Sequence, residues 1–201
     1  MIAKGVALAV AALGVTVLLL FLLGVFGGGT EYVFGMRAGN LDGGNESGAQ
    51  IPLRRGGSEM IGLDFVENVG KSPILIESVE PQSNSPQLQV TRGRIWRLQP
   101  AAHISLPMWW HGWPPKGVPV SPPKTKPGFV QPHPDYLSLP ATGTIPPGAK
   151  AQLVYGIFLH ADPSPKIRVT ALRIKFVQSG RAFIWTVPEE VRVDYHHHSH
   201  D

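Results

Sequence analysis

From Gly5 to Phe26 the chain carries no charged residue and no proline, and almost every side chain is apolar or small. At about 1.5 Å per residue such a run makes a helix of about 33 Å, enough to cross a hydrocarbon core of about 30 Å. A cleaved secretory signal, the competing reading, has a shorter apolar core and a small-x-small cleavage site. Here the residues after the run offer only Val25-x-Gly27 or Gly27-x-Gly29. We therefore expect residues 1–27 to form a signal-anchor transmembrane helix. Lys4, with the short tail before the run, leans the N-terminus to the cytoplasmic side, which places the bulk of the chain outside the membrane.

The pattern then changes. Residues 28–57 are rich in glycine, asparagine and serine and read as a flexible tether, with only Tyr32-Val33-Phe34 to bury. From Ser58 the apolar positions recur with period two, the signature of half-buried strands. Ile61, Leu63 and Phe65 alternate in a first strand, and Ile74 to Val79 form a second after the turn Asn68 to Pro73. Leu88 to Leu98 make a third, broken at Gly93. Leu153, Tyr155, Ile157 and Leu159 face one way in a fourth, with Gln152, Gly156 and His160 opposite. A strand from Ile167 to Val177 meets the next through Ser179-Gly180. A two-residue turn there sets Phe176 opposite Phe183, Ile174 opposite Trp185, Leu172 opposite Val187 and Arg173 opposite Thr186, with all six large apolar residues on one face. Val191, Val193 and Tyr195 form a last short strand. Past residue 30 no segment keeps a 3.6-residue apolar period, so the expected class is all-β, an antiparallel immunoglobulin-like sandwich over 58–195 behind one N-terminal transmembrane helix.

Composition narrows this picture. Glycine (23) and proline (20) make up about a fifth of 201 residues, against roughly 12% in ordinary domains, which favours strands and turns over helices. Cysteine is absent, which removes disulfides, thiolate metal sites and cysteine nucleophiles together. The formal net charge is +4, suited to anionic lipid or wall polymer. Nucleic acid is a poor partner, because no basic cluster exceeds Arg54-Arg55.

Residues 99–148 stand out as an insertion. They hold most of the prolines and three of the five tryptophans, in Trp109-Trp110-His111-Gly112-Trp113 ahead of Pro114-Pro115. An unstructured stretch of this length is abnormal in a compact domain. One expectation is a binding loop built on Trp109, Trp110, Trp113, Pro114 and Pro115, for a membrane-protein or cell-wall partner, for sugar rings, or for the lipid surface. The other is that the loop folds back and its tryptophans complete the packing. Leu139-Pro140-Ala141-Thr142-Gly143 spells a sortase signal, but a strand region follows instead of an apolar segment, so it reads as coincidence. The terminal His196, His197, His198 and His200 are candidate ligands for zinc or copper, against a solvated tail. No phosphate loop, Gly-x-Ser-x-Gly, paired-carboxylate or His-Glu-x-x-His pattern occurs, so neither an enzyme nor a resident cofactor is expected.

The run Asp64-Phe65-Val66-Glu67-Asn68-Val69-Gly70 followed by Ser72-Pro73-Ile74-Leu75-Ile76 resembles the first hairpin of immunoglobulin-like domains, and Ile145 to Leu153 is similar to a later strand of such domains. The outline resembles small bacterial membrane-anchored proteins with a single exported immunoglobulin-like domain. That resemblance implies a fold and brings no catalytic residues. With the apolar run and the tryptophan segment, the expected role is a membrane-anchored extracytoplasmic interaction or scaffolding module at the cell envelope.

Overall fold

A computed structural model describes residues 29–43, 48–98, 109–115 and 139–194. In chain order its strands are β1 (Glu31–Phe34), β2 (Arg37–Ala38), β3 (Leu41–Gly43), β4 (Ala49–Pro52), β5 (Ser58–Asn68), β6 (Ile74–Ser83), β7 (Leu88–Val90), β8 (Arg94–Leu98), β9 (Trp109–His111), β10 (Gly143–Ile145), β11 (Lys150–Leu159), β12 (Arg168–Gln178) and β13 (Arg181–Asp194). Among the described residues there is no helix, hence none long and apolar enough to cross a membrane. The run expected to span one lies outside the described residues.

The strands form two sheets. One runs β1-β13-β12-β6-β10, with β4 beside β1 on the same edge of β13. The other runs β2-β3-β5-β11-β7, with β8 also on β11 and β9 also on β5. Period-two alternation explains why they pack face to face: Leu153, Tyr155, Ile157 and Leu159 of β11 and Leu172, Ile174 and Phe176 of β12 all point into one shared core. Trp185 is the largest fully buried side chain, and its Nε1–H donates to the carbonyl of Gly35 at 2.6 Å. Phe176 and Phe183 stack with ring centroids 4.7 Å apart.

The β12–β13 hairpin has the register that the sequence predicts: Phe176–Phe183, Ile174–Trp185, Leu172–Val187 and Arg173–Thr186 are all partners. Its turn has φ +49° at Ser179 and +76° at Gly180, the left-handed pair of a type I′ turn, whose twist matches the strands it joins.

Five expectations are corrected. Residues 28–57 are not a free tether where they are described. β1 and β4 pair in parallel with β13, and β3 pairs with β5, so the segment closes edges of both sheets. The link after Asn68 is not a hairpin turn, since β5 and β6 lie in different sheets. Asn68, fully buried, shapes the link: its Oδ1 accepts from Gly70 N–H, and its Nδ2 donates to the carbonyls of Ser72 and Ile145. β6 runs on through Pro81 to Ser83, and the last strand is the continuation of β13. The insertion supplies β9 to one sheet and β10 to the other. The break at Gly93 is as expected. A Cβ there would lie 2.5 Å from Val79, and the Gly93 N–H donates to the Val79 carbonyl, so close backbone approach demands glycine.

Candidate functional site

The tryptophan segment is a strap across the outer face of the second sheet. β9 pairs antiparallel with β5, setting Trp109 against Ile61, Trp110 against Met60 and His111 against Glu59. Alternation along a strand therefore sorts the side chains. Trp109 packs against the main core, and Trp110 turns outward. Gly112, at φ +82°, turns the chain. Its N–H donates to the Ser58 carbonyl at 2.8 Å, and the Trp113 N–H donates to Ser58 Oγ at 3.0 Å. These bonds lay the Trp113 indole flat over Gly156, where an added Cβ would come within 2.4 Å of the ring. Only a strand position without a side chain admits this contact.

Under the strap Met60 and Val154 are fully buried, although both face away from the core. Trp96, Trp110, Trp113 and Leu139 cover them, each half-buried. Trp96 arrives from β8, where Ile95 takes the core side. Leu139 is held by the Arg94 guanidinium, which donates to its carbonyl at 2.7 Å, and the Ile95 N–H donates to the Pro140 carbonyl at 2.9 Å. Three half-exposed indoles thus lie on one rigid sheet face. Of the five residues expected to bind a partner, Trp110 and Trp113 join this platform, Pro114 is exposed beside it, Pro115 is buried, and Trp109 is turned away. Trp96 takes the third place. The alternation Ile95-Trp96 marked it as outward-facing, but it lies outside the insertion that drew attention.

The sortase-like residues are built into the fold, with Leu139 on the platform and Gly143 opening β10. The four terminal histidines lie outside the described residues. Among the described residues no cluster of three or more histidine or acidic side chains is placed to hold a metal.

At the rim of the strap, Glu59 is buried and its Oε1 meets His111 Nδ1 at 2.9 Å, with the His111 side chain 75% exposed. Glu59 Oε2 is buried with no hydrogen-bond partner among the described residues. Burial pushes the Glu59 carboxyl above its ordinary range, against the opposing hydrogen bond and charge of His111. The pair can hold a proton at the sheet edge and fasten β9 to β5. The neighbouring hydroxyl, Ser58 Oγ, is occupied by the Trp113 N–H.

Fold and site define the class: a two-sheet all-β sandwich with an aromatic platform strapped onto one outer face. No protein-family model matches the chain, and comparison with curated proteins gives no match. Among solved structures the chain is similar to the ASH/PapD-like domain of human CEP192 (PapD-like domain 7), with 7% identity and a TM-score of 0.36 over 78% of this chain and 87% of that one.

Proposed function

We propose that this protein is a membrane-anchored, extracytoplasmic sandwich of immunoglobulin-like type that serves as a protein-interaction module at the cell envelope. The observation that carries the reading is the platform of Trp96, Trp110 and Trp113, half-exposed on a sheet, with Trp96 and Trp110 fixed by strand pairing and Trp113 by the Ser58 hydrogen bonds. Aromatic side chains held in place contribute large contact area with little ordering cost, which is why they dominate binding hot spots. The apolar run Gly5 to Phe26 supplies the anchor.

Two measurements on the full chain in its native membrane test it. A photo-crosslinking residue at Trp110 or Trp113 is expected to capture a protein, and one at Gln82, exposed on β6 of the other sheet, is not. Equal adducts at all three positions, or none, refute the platform. Because the chain has no cysteine, a single Gln89→Cys reports sidedness cleanly. Labelling of intact cells by a membrane-impermeant maleimide is expected, and labelling only after permeabilisation refutes the extracytoplasmic address. Indole faces also suit sugar rings. A shift of tryptophan emission on adding wall glycan, with no protein adduct, favours that second reading.

A further inference from the structure

Among the described residues the exposed large apolar side chains are Tyr32 (72%), Phe34 (74%), Val69 (44%) and Leu75 (44%). They lie toward one end of the sandwich, the end of the Ser179-Gly180 turn. Tyr32 and Phe34 stand on the outer face of β1, beside Ile184 and Thr186 of β13. The register carries this face inward across the sheet: Ile184 neighbours Lys175, Ala182 neighbours Val177, and Val177 neighbours Leu75. From β1 to β6 is three strand spacings, about 14 Å. Val69 sits on the adjoining link between β5 and β6, at the end of the molecule where Ile74 pairs with Gln178 beside the Ser179-Gly180 turn.

Charge is interleaved with these apolar side chains. Glu31 is engaged by Arg181 at 2.8 Å and Glu80 by Lys175 at 3.7 Å. Lys71 and Arg173 form no ion pair with a carboxylate among the described residues, and Glu77 is exposed. Aromatic and basic side chains side by side are the composition of a membrane interface, where amphipathic rings sit at headgroup level and lysine and arginine meet phosphate.

Position decides which partner fits. The chain reaches β1 from the apolar run through residues 27–30 alone, and four residues span at most about 14 Å. The headgroup layer is about 5–8 Å thick on each side of the hydrocarbon. β1 therefore begins no more than about 6–9 Å beyond the headgroup layer. We infer that the end of the sandwich that carries Tyr32, Phe34, Val69 and Leu75 docks into the headgroup layer of the membrane that carries the anchor, fixing the sandwich at one tilt with its aromatic platform, on the other sheet, turned away from the lipid. This inference rests on the reading of residues 5–26 as a membrane span.

The absence of cysteine makes the test direct. Single-cysteine full-length variants Leu19→Cys, Phe34→Cys, Leu75→Cys and Gln89→Cys, carrying an environment-sensitive fluorophore, are reconstituted in vesicles of phosphatidylcholine and phosphatidylglycerol containing shallow or deep brominated lipid. Leu19 is expected to be quenched by deep bromine, Phe34 and Leu75 by shallow bromine about twofold, and Gln89 by neither. Adding Tyr32→Ser and Phe34→Ser to the Leu75→Cys protein is expected to abolish its shallow quenching without changing its thermal unfolding, since both rings are exposed. Quenching at Leu19 without quenching at Phe34 and Leu75 overturns the docking and leaves the anchor standing. So does a Phe34 label that is shielded by a second copy of the chain instead of lipid. No quenching at Leu19 overturns the anchor, and the docking with it.

Discussion

Gly156→Ala isolates the contact on which the platform depends. The added methyl would sit 2.4 Å from Cγ and Cδ2 of Trp113, against an optimal carbon–carbon separation of about 3.5–4.0 Å. The indole is a rigid plane and must lift by more than an ångström, pulling on the strap behind it. Met60 and Val154, both fully buried beneath it, then meet water. Full exposure of each side chain costs about 1.5–3 kcal/mol. Trp96, Trp110 and Leu139 keep partial cover, so roughly half of the combined figure, about 1.5–3 kcal/mol, applies. Replacing glycine by alanine in a strand returns about 0.5–1 kcal/mol. The expected net loss is about 0.5–2.5 kcal/mol. Gly143→Ala is the control, since its methyl would meet only Ile95 Cδ1 at 3.7 Å, an ordinary contact. Urea unfolding of the full chain in detergent, followed by tryptophan emission and far-ultraviolet circular dichroism, gives both readouts. Gly156→Ala is expected to lower the midpoint and red-shift the native emission, and Gly143→Ala to do neither. If the two variants match in stability and emission, Trp113 does not lie on Gly156 and the platform is wrongly assembled.

Three further outcomes follow from single side chains. Asn68→Ala removes three hydrogen bonds that shape the link between the sheets and is expected to cost about 2–4 kcal/mol in the same urea assay. Asn68→Asp, which cannot donate to the Ser72 and Ile145 carbonyls when ionised, is expected to be no better. Trp185→Phe deletes the donor to Gly35 and is expected to cost about 1–3 kcal/mol; amide exchange accelerates first at residues 31–35, and uniform acceleration over the domain argues against that tie. Glu59 has a carboxyl raised above its unfolded value by burial, so the unfolded chain loses its proton first as pH rises. Stability should therefore fall as pH climbs from about 4.5 through the raised value and stay reduced above it, and Glu59→Gln should remove that fall. An unchanged pH profile in Glu59→Gln refutes the assignment.

What the sequence made legible follows from locality. The β12–β13 register was readable because two alternating strands meet at a two-residue turn, and one register alone puts Phe176, Ile174, Leu172, Phe183, Trp185 and Val187 on one face. β1 and β4 were not. Each is four residues long, and their partners lie on β13 at the far end of the chain, so no local period betrays them. The glycines and asparagines that made this region look like a tether serve as turns and sheet changes instead: Gly39 and Asn40 join β2 to β3, and Gly43 packs against the Phe65–Val66 backbone. Pairing also decided the tryptophans. Composition singled out Trp109, Trp110 and Trp113 together, but the β9–β5 ladder turns Trp109 to the core and leaves its place to Trp96. Alternation set Gln152 on the face of β11 opposite Leu153, and pairing on both sides, with Phe65 of β5 and Trp96 of β8, leaves it buried and donating to the Gly62 carbonyl.

The change of sheet at Gly35 and Met36 gives the molecule a mechanical character. β1 runs parallel to β13 through four register pairs, the Gly35 N–H adds a bond to the Thr186 carbonyl at 3.1 Å, and the chain then crosses to the other sheet as β2. Tension arriving from residue 29 pulls along the strand axis, so these bonds are loaded in shear and must yield together. They cannot be peeled one at a time. A force on the proposed anchor is thereby spread over both sheets through the first residues of the fold, and the part of the domain nearest the membrane becomes its grip.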